Sequence, residues 1–577
     1  MDKRGWFGIF GLLALVALGA RAQVAPYCYG CHTLSAPETK VELISPFTPL
    51  KPLLGEALLS PEALKKAAKR YAELCAGCHG GYREGAIGRP LLPEEMAQKG
   101  LPYLEAVIAQ GLPGGMPDYR GRLSQEEIRN LARFLTYPQL PLPELSLQEI
   151  AARTKVHVPP EARPKAPERP GWENTFGVVL RDVGRIAFYD GKTRARLAFF
   201  DLRNLGEGGW PHQLHASSNG RYFLVPGQDG NVWLVDLWSK EPTIVAETRA
   251  CYEARAAEFS KAPGFEDRYI LVGCYTPMQL VILDGATLKP LKLIPIKVAK
   301  DGKVLPRART GYISGSKRFP VWVVQLKDPG ETWIVDYSAL DKGRLDITRL
   351  EVPGVPALHD GGWLRLKGPE DQRYAMVVSF PQGDQVVAID VKERKVAAII
   401  PTGAQVLHAG RGINFDHPVY GHLWATTAAG GELVVIGADP GKPEYLWKVV
   451  KKVKLPYPGS LYGKTHPNSP WIIVDFTKAD DDPKARATLC AVDKVSLEVA
   501  RCFEVPGAQA LNARLVQPEF NKEGTEFWIA AWTDRLTPGF LAIYDAKTLE
   551  PKGRIGGADF LSPLAKFNAY NTAHYIY

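Results

Sequence analysis

Two copies of the pattern Cys-x-x-Cys-His stand near the N-terminus of the 577-residue chain, at residues 28–32 and 75–79. In this pattern, two thiols one helical turn apart bind the two vinyl groups of one haem, and the adjacent histidine becomes an axial ligand of the iron. The pattern therefore predicts covalently attached haem c and a role in electron transfer.

The second copy has the surroundings that a c-type cytochrome domain needs. Cys75 and Cys78 are the predicted covalent attachment points and His79 the axial ligand, after a helix-like run over residues 61–74. Met116 follows in a loop and offers a thioether as the sixth ligand, and Ser124 with Glu127 forms a capping-box pattern that begins a closing helix. The alternative is a structural or redox-active cysteine pair with an unrelated histidine.

The first copy predicts a second haem c on Cys28 and Cys31, with His32 as axial ligand. Residues 33–74 contain neither methionine nor histidine, so Met96, His157 or no residue at all would be the sixth ligand. A disulfide or a metal site is the alternative for this pair of cysteines. Measurement of one haem c per chain, rather than two, would contradict the prediction.

The first 22 residues are typical of a signal peptide. Lys3 and Arg4 precede an apolar run over residues 5–20, and Ala20-Arg21-Ala22 fits the small-x-small rule for cleavage. We therefore expect an exported, periplasmic protein that is soluble after cleavage, which also suits haem attachment outside the cytoplasm. An uncleaved anchor is the alternative, although the run is short for a bilayer span of about 20 residues.

The composition is that of a multidomain globular protein. The chain has 71 basic and 62 acidic residues, a net charge of +9 and 23% charged residues. There is no run of like charges of the kind that binds nucleic acid, so no nucleic-acid partner is expected. A mildly basic surface suits an acidic redox partner or an anionic substrate, and ordinary surface variation explains it equally well.

The chain divides into five segments. Residues 1–22 form the signal peptide, 23–60 an N-terminal extension with the first haem motif, and 61–137 a small all-α cytochrome c domain. Residues 138–172 are rich in proline and read as a linker. From residue 173 to 577 short apolar runs alternate with glycine, proline and aspartate, which predicts an all-β domain.

The β region repeats a short apolar run that ends in aspartate or lies just before one. The eight aspartates are Asp190, Asp236, Asp284, Asp336, Asp390, Asp439, Asp493 and Asp545. They recur at intervals of 46 to 54 residues. One such unit cannot bury both faces of its own sheet, so the units must pack side by side, and a closed ring leaves few exposed edges. The rhythm predicts an eight-bladed β-propeller; a pair of β-sandwiches is the alternative.

Three histidines of the β region, His212, His359 and His408, stand in loops between the predicted blades. Blade loops converge on the axis of a propeller, where ligands bind, so these residues can meet although they are far apart in sequence. Taken singly, each is more typical of an ordinary loop histidine.

A disulfide is possible between Cys490 and Cys502. These two residues lie equidistant from Ser496, so a hairpin turning there would place them opposite each other; free buried thiols are the alternative.

From about residue 70 to the C-terminus, the sequence resembles the cytochrome cd1 nitrite reductases. In that family a c-type cytochrome domain precedes an eight-bladed propeller that holds non-covalent haem d1 on its axis. The matching stretches are residues 70–71, 74–80, 115–117, 155–158, 180–182, 235–238, 253–255, 359–362, 410–412, 465–469, 519–522 and 566–568.

The resemblance implies a set of site residues. His212 corresponds to the proximal ligand of the haem d1 iron, with His215 as its competitor because residues 206–209 look like an insertion. Met116 corresponds to the sixth ligand of haem c, and His359 and His408 to the two distal histidines over the substrate. Candidates for pairing with the haem d1 carboxylates are Arg181, Arg255 and Arg411.

The resemblance also implies one-electron reduction of nitrite to nitric oxide, with electrons relayed through haem c and protons supplied by imidazoles that titrate near pH 7. A small soluble donor, such as a c-type cytochrome or a cupredoxin, and a homodimer are expected. One alternative is a haem d1 maturation oxidoreductase or carrier of the same architecture, a group expected to lack one distal histidine. Another is an electron-carrying or d1-binding protein without turnover.

Overall fold

The structure is a computed structural model that describes residues 59–85, 88–112, 116–138, 144–204, 209–300, 302–305, 307–355, 357–380 and 383–576. The predicted signal peptide and the first haem motif, with Cys28, Cys31 and His32, lie outside the described residues. Within the part of the chain that is described, no helix has both the length and the apolar character that a membrane crossing requires.

The N-terminal domain is all-α, as predicted. Its helices span Pro61–Leu74, Ala76–His79, Pro93–Lys99, Leu101–Gln110 and Gln125–Phe134. Ser60 caps the first helix by accepting a hydrogen bond from the Ala63 amide, and Ser124 with Glu127 forms the predicted capping box on the last. The first and last helices pack around a common core, which includes the buried side chains of Tyr71 and Phe134.

The proline-rich segment contains ordered elements rather than an extended tether. A capping box formed by Ser146 and Glu149 begins the helix Leu147–Arg153, and its Ile150 is fully buried against the propeller. The strand Lys155–Val156 then pairs with the outermost strand of the second blade, and 3₁₀ turns follow at Pro160–Ala162 and Trp172–Asn174. This segment therefore fastens the helical domain to the propeller.

The rest of the described chain forms eight antiparallel four-stranded sheets, which confirms the predicted eight-bladed propeller. From the innermost strand outwards, blade 1 is Pro563–Asn568, Thr175–Leu180, Arg185–Asp190 and Arg196–Asp201; blade 2 is His215–Ala216, Tyr222–Pro226, Asn231–Asp236 and Thr243–Arg249; blade 3 is Glu253–Phe259, Tyr269–Thr276, Gln279–Asp284 and Pro290–Pro295; blade 4 is Thr310–Gly315, Val321–Leu326, Glu331–Asp336 and Asp346–Glu351. Blade 5 is Gly361–Trp363, Tyr374–Val378, Gln385–Asp390 and Lys395–Pro401; blade 6 is Leu407–His417, Gly421–Ala428, Glu432–Gly437 and Val449–Lys454; blade 7 is Gly463–Lys464, Trp471–Val474, Thr488–Asp493 and Val499–Glu504; blade 8 is Arg514–Phe520, Glu526–Trp532, Pro538–Asp545 and Pro551–Leu561. A short ribbon joins Ala299–Lys300 to Lys303–Val304, and further helices span Pro483–Arg486 and Ala569–His574.

The ring closes because blade 1 combines both ends of the propeller. Its innermost strand comes from the C-terminus and pairs antiparallel with Thr175–Leu180, so that Phe176 lies opposite Asn568. Closure of this kind covers the strand edges that an open arrangement would expose. The core lies between neighbouring blades, where large side chains such as Trp322, Trp424 and Trp528 are fully buried.

The repeated aspartates have a common structural role. Each lies at or just beyond the end of the third strand of its blade, and its carboxylate accepts a hydrogen bond from the backbone amide two residues further on. An aspartate in this position stabilises the tight turn into the outermost strand. The regular spacing of the aspartates in the sequence therefore reflects one such turn in each blade.

Two disulfides occur among the described residues. Cys490 and Cys502 lie directly opposite each other on paired strands of blade 7, and they form the disulfide that the hairpin argument allowed. Cys251 and Cys274 form a second disulfide that the sequence did not predict. This second pair is buried in the same apolar cluster as Ala72 of the helical domain.

Candidate functional site: a cationic cavity on the propeller axis

A large cavity lies on the axis, and the beginnings of the innermost strands from all eight blades contribute to its lining. It holds about 1280 Å³ of space between atoms, counted with the solvent at its open end. This is ample for a tetrapyrrole-sized ligand, because small-molecule sites typically span about 300–1,000 Å³. The sequence analysis predicted a ligand site at this position, because the loops between blades converge on the axis.

The lining carries many more cationic than anionic side chains. The cationic ones among the described residues are Arg181, Arg255, Lys327, Arg411, Lys464, Lys478 and Arg514, and the only acid is Asp360. Burial and the neighbouring arginines Arg309 and Arg255 lower the pKa of Lys327 to about 7. Burial likewise lowers the pKa of Lys478 to about 8. An excess of buried positive charge fits a ligand that carries several carboxylates.

The three arginines singled out from the sequence all line this cavity. Arg181 pairs with Asp182 at 2.7 Å and lies over the Trp532 ring, and a nitrogen of Arg411 lies 3.1 Å from His215 Nδ1. Arg255 donates to Glu253 at 3.1 Å through Nη2, while its Nε and Nη1 are buried without a hydrogen-bond partner. Two buried donors left over on one guanidinium suit a carboxylate of a bound ligand.

His212 and His215 have different surroundings. His212 lines the cavity, with Nδ1 3.2 Å from the side-chain nitrogen of Gln228. Burial, with Arg255 and Arg181 nearby, lowers the pKa of His212 well below its ordinary value, so the imidazole is neutral, as an iron ligand must be. His215 is fully buried behind the wall, where it contacts Glu258, and it does not line the cavity. The structure therefore brings His212, and not His215, to the cavity.

His359 and His408 meet in the same cavity although they come from neighbouring blades. Their ring centroids are 6.2 Å apart. The aromatic ring of Phe380 lies 5.0 Å from His359 and 5.5 Å from His408, and the ring of Tyr462 lies 4.9 Å from His408. These rings form apolar walls that hold the two imidazoles in place.

The expectation that these imidazoles titrate near pH 7 is wrong for the protein without a bound ligand. Burial lowers the pKa of His359 to about 4, even though the adjacent Asp360 carboxylate raises it. Burial also lowers the pKa of His408, again against the effect of Asp360. Both imidazoles are therefore neutral at pH 7, and protonation needs an added negative charge in the cavity or a lower pH.

The described haem motif has the local geometry that haem attachment requires. Cys75 and Cys78 are not joined in a disulfide, and burial raises the pKa of each thiol to about 12. Nδ1 of His79 lies 2.8 Å from the Arg89 carbonyl oxygen, which accepts its proton and leaves Nε2 for a metal. Met116 packs against the same apolar core as Cys75. These residues fit a haem c with histidine and methionine ligands.

The haem motif faces the end of the propeller at which the cavity residues begin their strands. A Cβ atom on Gly77 would come within 2.7 Å of Asp229 Cβ, so only glycine allows this approach. The Gly81 amide donates to Glu253 at 2.9 Å, and Glu253 in turn accepts from Arg255 of the cavity. The two candidate haem sites are thereby linked through a short path of polar contacts.

Sequence reasoning missed much of the cavity lining, including Asp360, Lys327 and Tyr462. Asp360 directly follows His359, and this adjacency was a signal that could have drawn attention to it. Lys327 has no such local signal, because it reaches the cavity from the turn after the second strand of blade 4. Its Nζ donates a hydrogen bond to the Tyr275 hydroxyl at 3.0 Å.

Comparison with known proteins finds a family match in each of two parts of the chain. The family model described as cytochrome D1 heme domain matches residues 170–572, and that of cytochrome C oxidase, cbb3-type, subunit III matches residues 62–135. A nitrite reductase of Stutzerimonas stutzeri is 36% identical over 544 residues, which cover 89% of this chain and 94% of the relative. A dihydro-heme d1 dehydrogenase of Pseudomonas aeruginosa is 28% identical over 530 residues, covering 91% and 97%. The solved structure of the dihydro-heme d1 dehydrogenase NirN superposes with a TM-score of 0.66 at 26% identity, covering 88% of this chain and 99% of that one.

Proposed function

Because this chain belongs to the cytochrome cd1 family, we propose that it is a nitrite reductase that forms nitric oxide, with electrons received through haem c. The two matched domains indicate binding of haem c and haem d1, and the family is one of oxidoreductases. The observation that carries the proposal is the presence of both His359 and His408 in one cationic cavity.

The reaction requires both a site for an anion and a source of protons. Nitrite takes up one electron and two protons, one N–O bond breaks, and the products are nitric oxide and water. Haem d1, when bound, would supply the iron and the electron for nitrite. Among the residues of this chain, His212 would hold that iron, and Arg181, Arg255 and Arg411 would neutralise the carboxylates of the cofactor.

His359 and His408 act as the acids. A neutral imidazole in this cavity gains affinity for a proton when nitrite adds a negative charge nearby, since opposite charges stabilise each other strongly away from water. Each imidazolium then donates its proton to the oxygen that leaves as water. Phe380 and Tyr462 hold the rings so that little reorganisation is needed.

We further propose that the protein works in the periplasm as a homodimer, with a small soluble cytochrome or cupredoxin as its donor. The motif at Cys28 adds a second haem c to the one at Cys75 in this proposal. Electrons then enter through the N-terminal segments and leave through the axial cavity. The hydrogen bond from the Gly81 amide to Glu253 holds the haem motif at Cys75 against the propeller, next to the cavity.

A second candidate is a dihydro-haem d1 dehydrogenase. The similarity in fold and sequence to the Pseudomonas aeruginosa enzyme favours it. That maturation group is expected to lack one of the distal histidines, whereas this chain has two imidazoles in the cavity, and two proton donors match the two protons that nitrite reduction consumes. We therefore prefer the reductase.

The function is tested with the full-length protein loaded with haem d1, reduced, and freed of excess reductant. Nitrite and a continuous supply of reduced donor cytochrome are added, and nitric oxide is recorded with an electrode. Release over many turnovers is the expected result. One equivalent of haem oxidation without further release would identify a carrier. Conversion of added dihydro-haem d1, seen in the visible spectrum, without nitric oxide release would identify the dehydrogenase.

Replacement of Arg255 by lysine is expected to weaken haem d1 binding about tenfold to a hundredfold. Lysine keeps the charge opposite Glu253 but lacks the two unpartnered donors of the guanidinium, and a hydrogen bond to a charged group contributes about 1.5–3 kcal/mol. The measurement is a titration of haem d1 into the purified protein. Arg373→Lys, which alters an arginine paired with Asp390 outside the cavity, is the matched control. Equal affinities for all three proteins would contradict this assignment.

A further inference from the structure

Asp360 lies between the two distal imidazoles and contacts both. Its Oδ1 is 2.5 Å from Nδ1 of His359, and its Oδ2 is 3.0 Å from Nε2 of His408. Blades 5 and 6 pack tightly at this point, because a Cβ atom on Gly362 would collide with the Arg411 carbonyl oxygen. This close packing brings the carboxylate of one blade against the histidine of the next.

The hydrogen bonds of His408 show what the carboxylate does there. Nδ1 of His408 lies 2.8 Å from the Leu461 carbonyl oxygen, which can only accept, so Nδ1 carries a proton. When the ring is neutral, Nε2 therefore presents a lone pair to Asp360, and the contact is repulsive. When the ring is protonated, the same contact becomes an ion pair. The carboxylate thus stabilises the protonated form of His408, against the larger opposing effect of burial.

No other acid in the described lining shares this role. Asp360 is the only carboxylate there, and the titratable groups that face it are His359, His408 and Lys327, with His212, Tyr312 and Tyr462 within electrostatic reach. Lys327 disfavours a proton on His359, and Lys478 disfavours one on His408. The negative charge of Asp360 raises the pKa of both imidazoles, whereas burial and these lysines lower it.

We propose that Asp360 is the positioning residue that loads His359 and His408 with protons for turnover. Its carboxylate bridges the two imidazoles, stabilises whichever of them is protonated, and lets each be reloaded from solvent after it has given its proton to the leaving oxygen. The proposal rests on the nitrite reductase function for its catalytic consequence. The effect of Asp360 on imidazole protonation belongs to the chain itself and is independent of that function.

The test compares Asp360→Asn with the wild type. Asparagine has the same shape and can still accept from His359 and donate to His408, but it carries no negative charge. At neutral pH we expect kcat to fall at least about tenfold while KM for nitrite changes little. The carboxylate raises the pKa of the imidazoles, so in its absence they are protonated only at lower pH. The activity of the variant should therefore recover as the pH is lowered, with its profile displaced to acid.

Asp416→Asn is the matched control, since Asp416 contacts His422 Nδ1 at 2.8 Å in a similar pair outside the cavity. It should leave both kcat and the pH profile unchanged. A purely structural role for Asp360 predicts a loss of activity with an unshifted profile, or no loss at all. Either result would overturn the proposal.

A second readout does not depend on activity. In the full-length protein labelled with ¹⁵N-histidine, the signals of His359 and His408 are identified by their absence from single variants and titrated by NMR. We expect their titration midpoints to lie at lower pH in Asp360→Asn than in the wild type. If Asp360→Asn does not fold, Asp360→Ser replaces it, and both midpoints should again lie at lower pH because serine also lacks the negative charge. Unchanged midpoints would overturn the inference, whereas absence of nitric oxide release by the wild type would overturn only the proposed function.

Discussion

Replacement of His359 or of His408 by alanine is expected to lower nitrite turnover by about 10²- to 10⁴-fold, the contribution typical of a general acid. Each substitution removes one of the two proton donors that the structure brings together over the axial cavity. The content of haem c and haem d1 should remain normal, because neither imidazole is needed to hold a cofactor. The measurement is nitric oxide release per haem d1 under a continuous supply of electrons.

The effects of the two substitutions should not add. His359 and His408 share Asp360, so removal of either imidazole already disrupts the unit, and the double variant should be little slower than the worse single variant. His422→Ala is the control, since this histidine of blade 6 pairs with Asp416 and does not line the cavity. Wild-type turnover in both single variants would show that the protons come from another source.

Much of the propeller was predictable because its signal is local. An aspartate that accepts from the amide two residues later must stand at a fixed point of each blade, and this requirement produced the regular spacing of the eight residues. The helix Pro61–Leu74 and the capping box at Ser124 were predictable for the same reason. Each is specified by side chains within a few residues of the backbone groups that they stabilise.

Features that depend on contacts distant in sequence could not be predicted. Nothing in residues 563–568 states that they pair with residues 175–180 and close the ring. Cys251 and Cys274 lie in a region where the pairing of two strands of blade 3 is irregular, so their approach follows from the folded sheet and not from their spacing. Both features depend on how parts of the chain that are distant in sequence pack in the folded protein.

The candidate site divides in the same way. The histidines were found because imidazoles are rare in the β region, whereas Asp360 was not among the predicted site residues. Its contact with His408 joins two neighbouring blades, so this part of its environment arises only in the folded ring. The pKa of His359 could not be predicted either, because its value of about 4 reflects burial, which only the assembled cavity creates.

Replacement of both Cys75 and Cys78 by serine should remove one covalently bound haem c and abolish nitrite turnover driven by a donor cytochrome. Among the described residues, this motif docks on the cavity-bearing end of the propeller, through Gly77 against Asp229 and through Gly81 against Glu253. We therefore expect electrons to reach the cavity through this haem. Haem is counted by the pyridine haemochrome method, and turnover is followed by nitric oxide release.

The number of haems lost distinguishes the two motifs. Wild-type protein should contain two haems c per chain, and Cys28→Ser with Cys31→Ser should retain the haem at Cys75 together with turnover by a small artificial reductant.

A milder variant, Met116→His, should keep both haems but lower the reduction potential of one, because a methionine ligand raises the potential of haem iron relative to a second histidine. Its slower reduction by the donor, with an unchanged rate once haem d1 is reduced chemically, would locate the electron entry to the cavity at His79 and Met116. Full donor-driven turnover after loss of the Cys75 haem would instead require a separate route into the propeller.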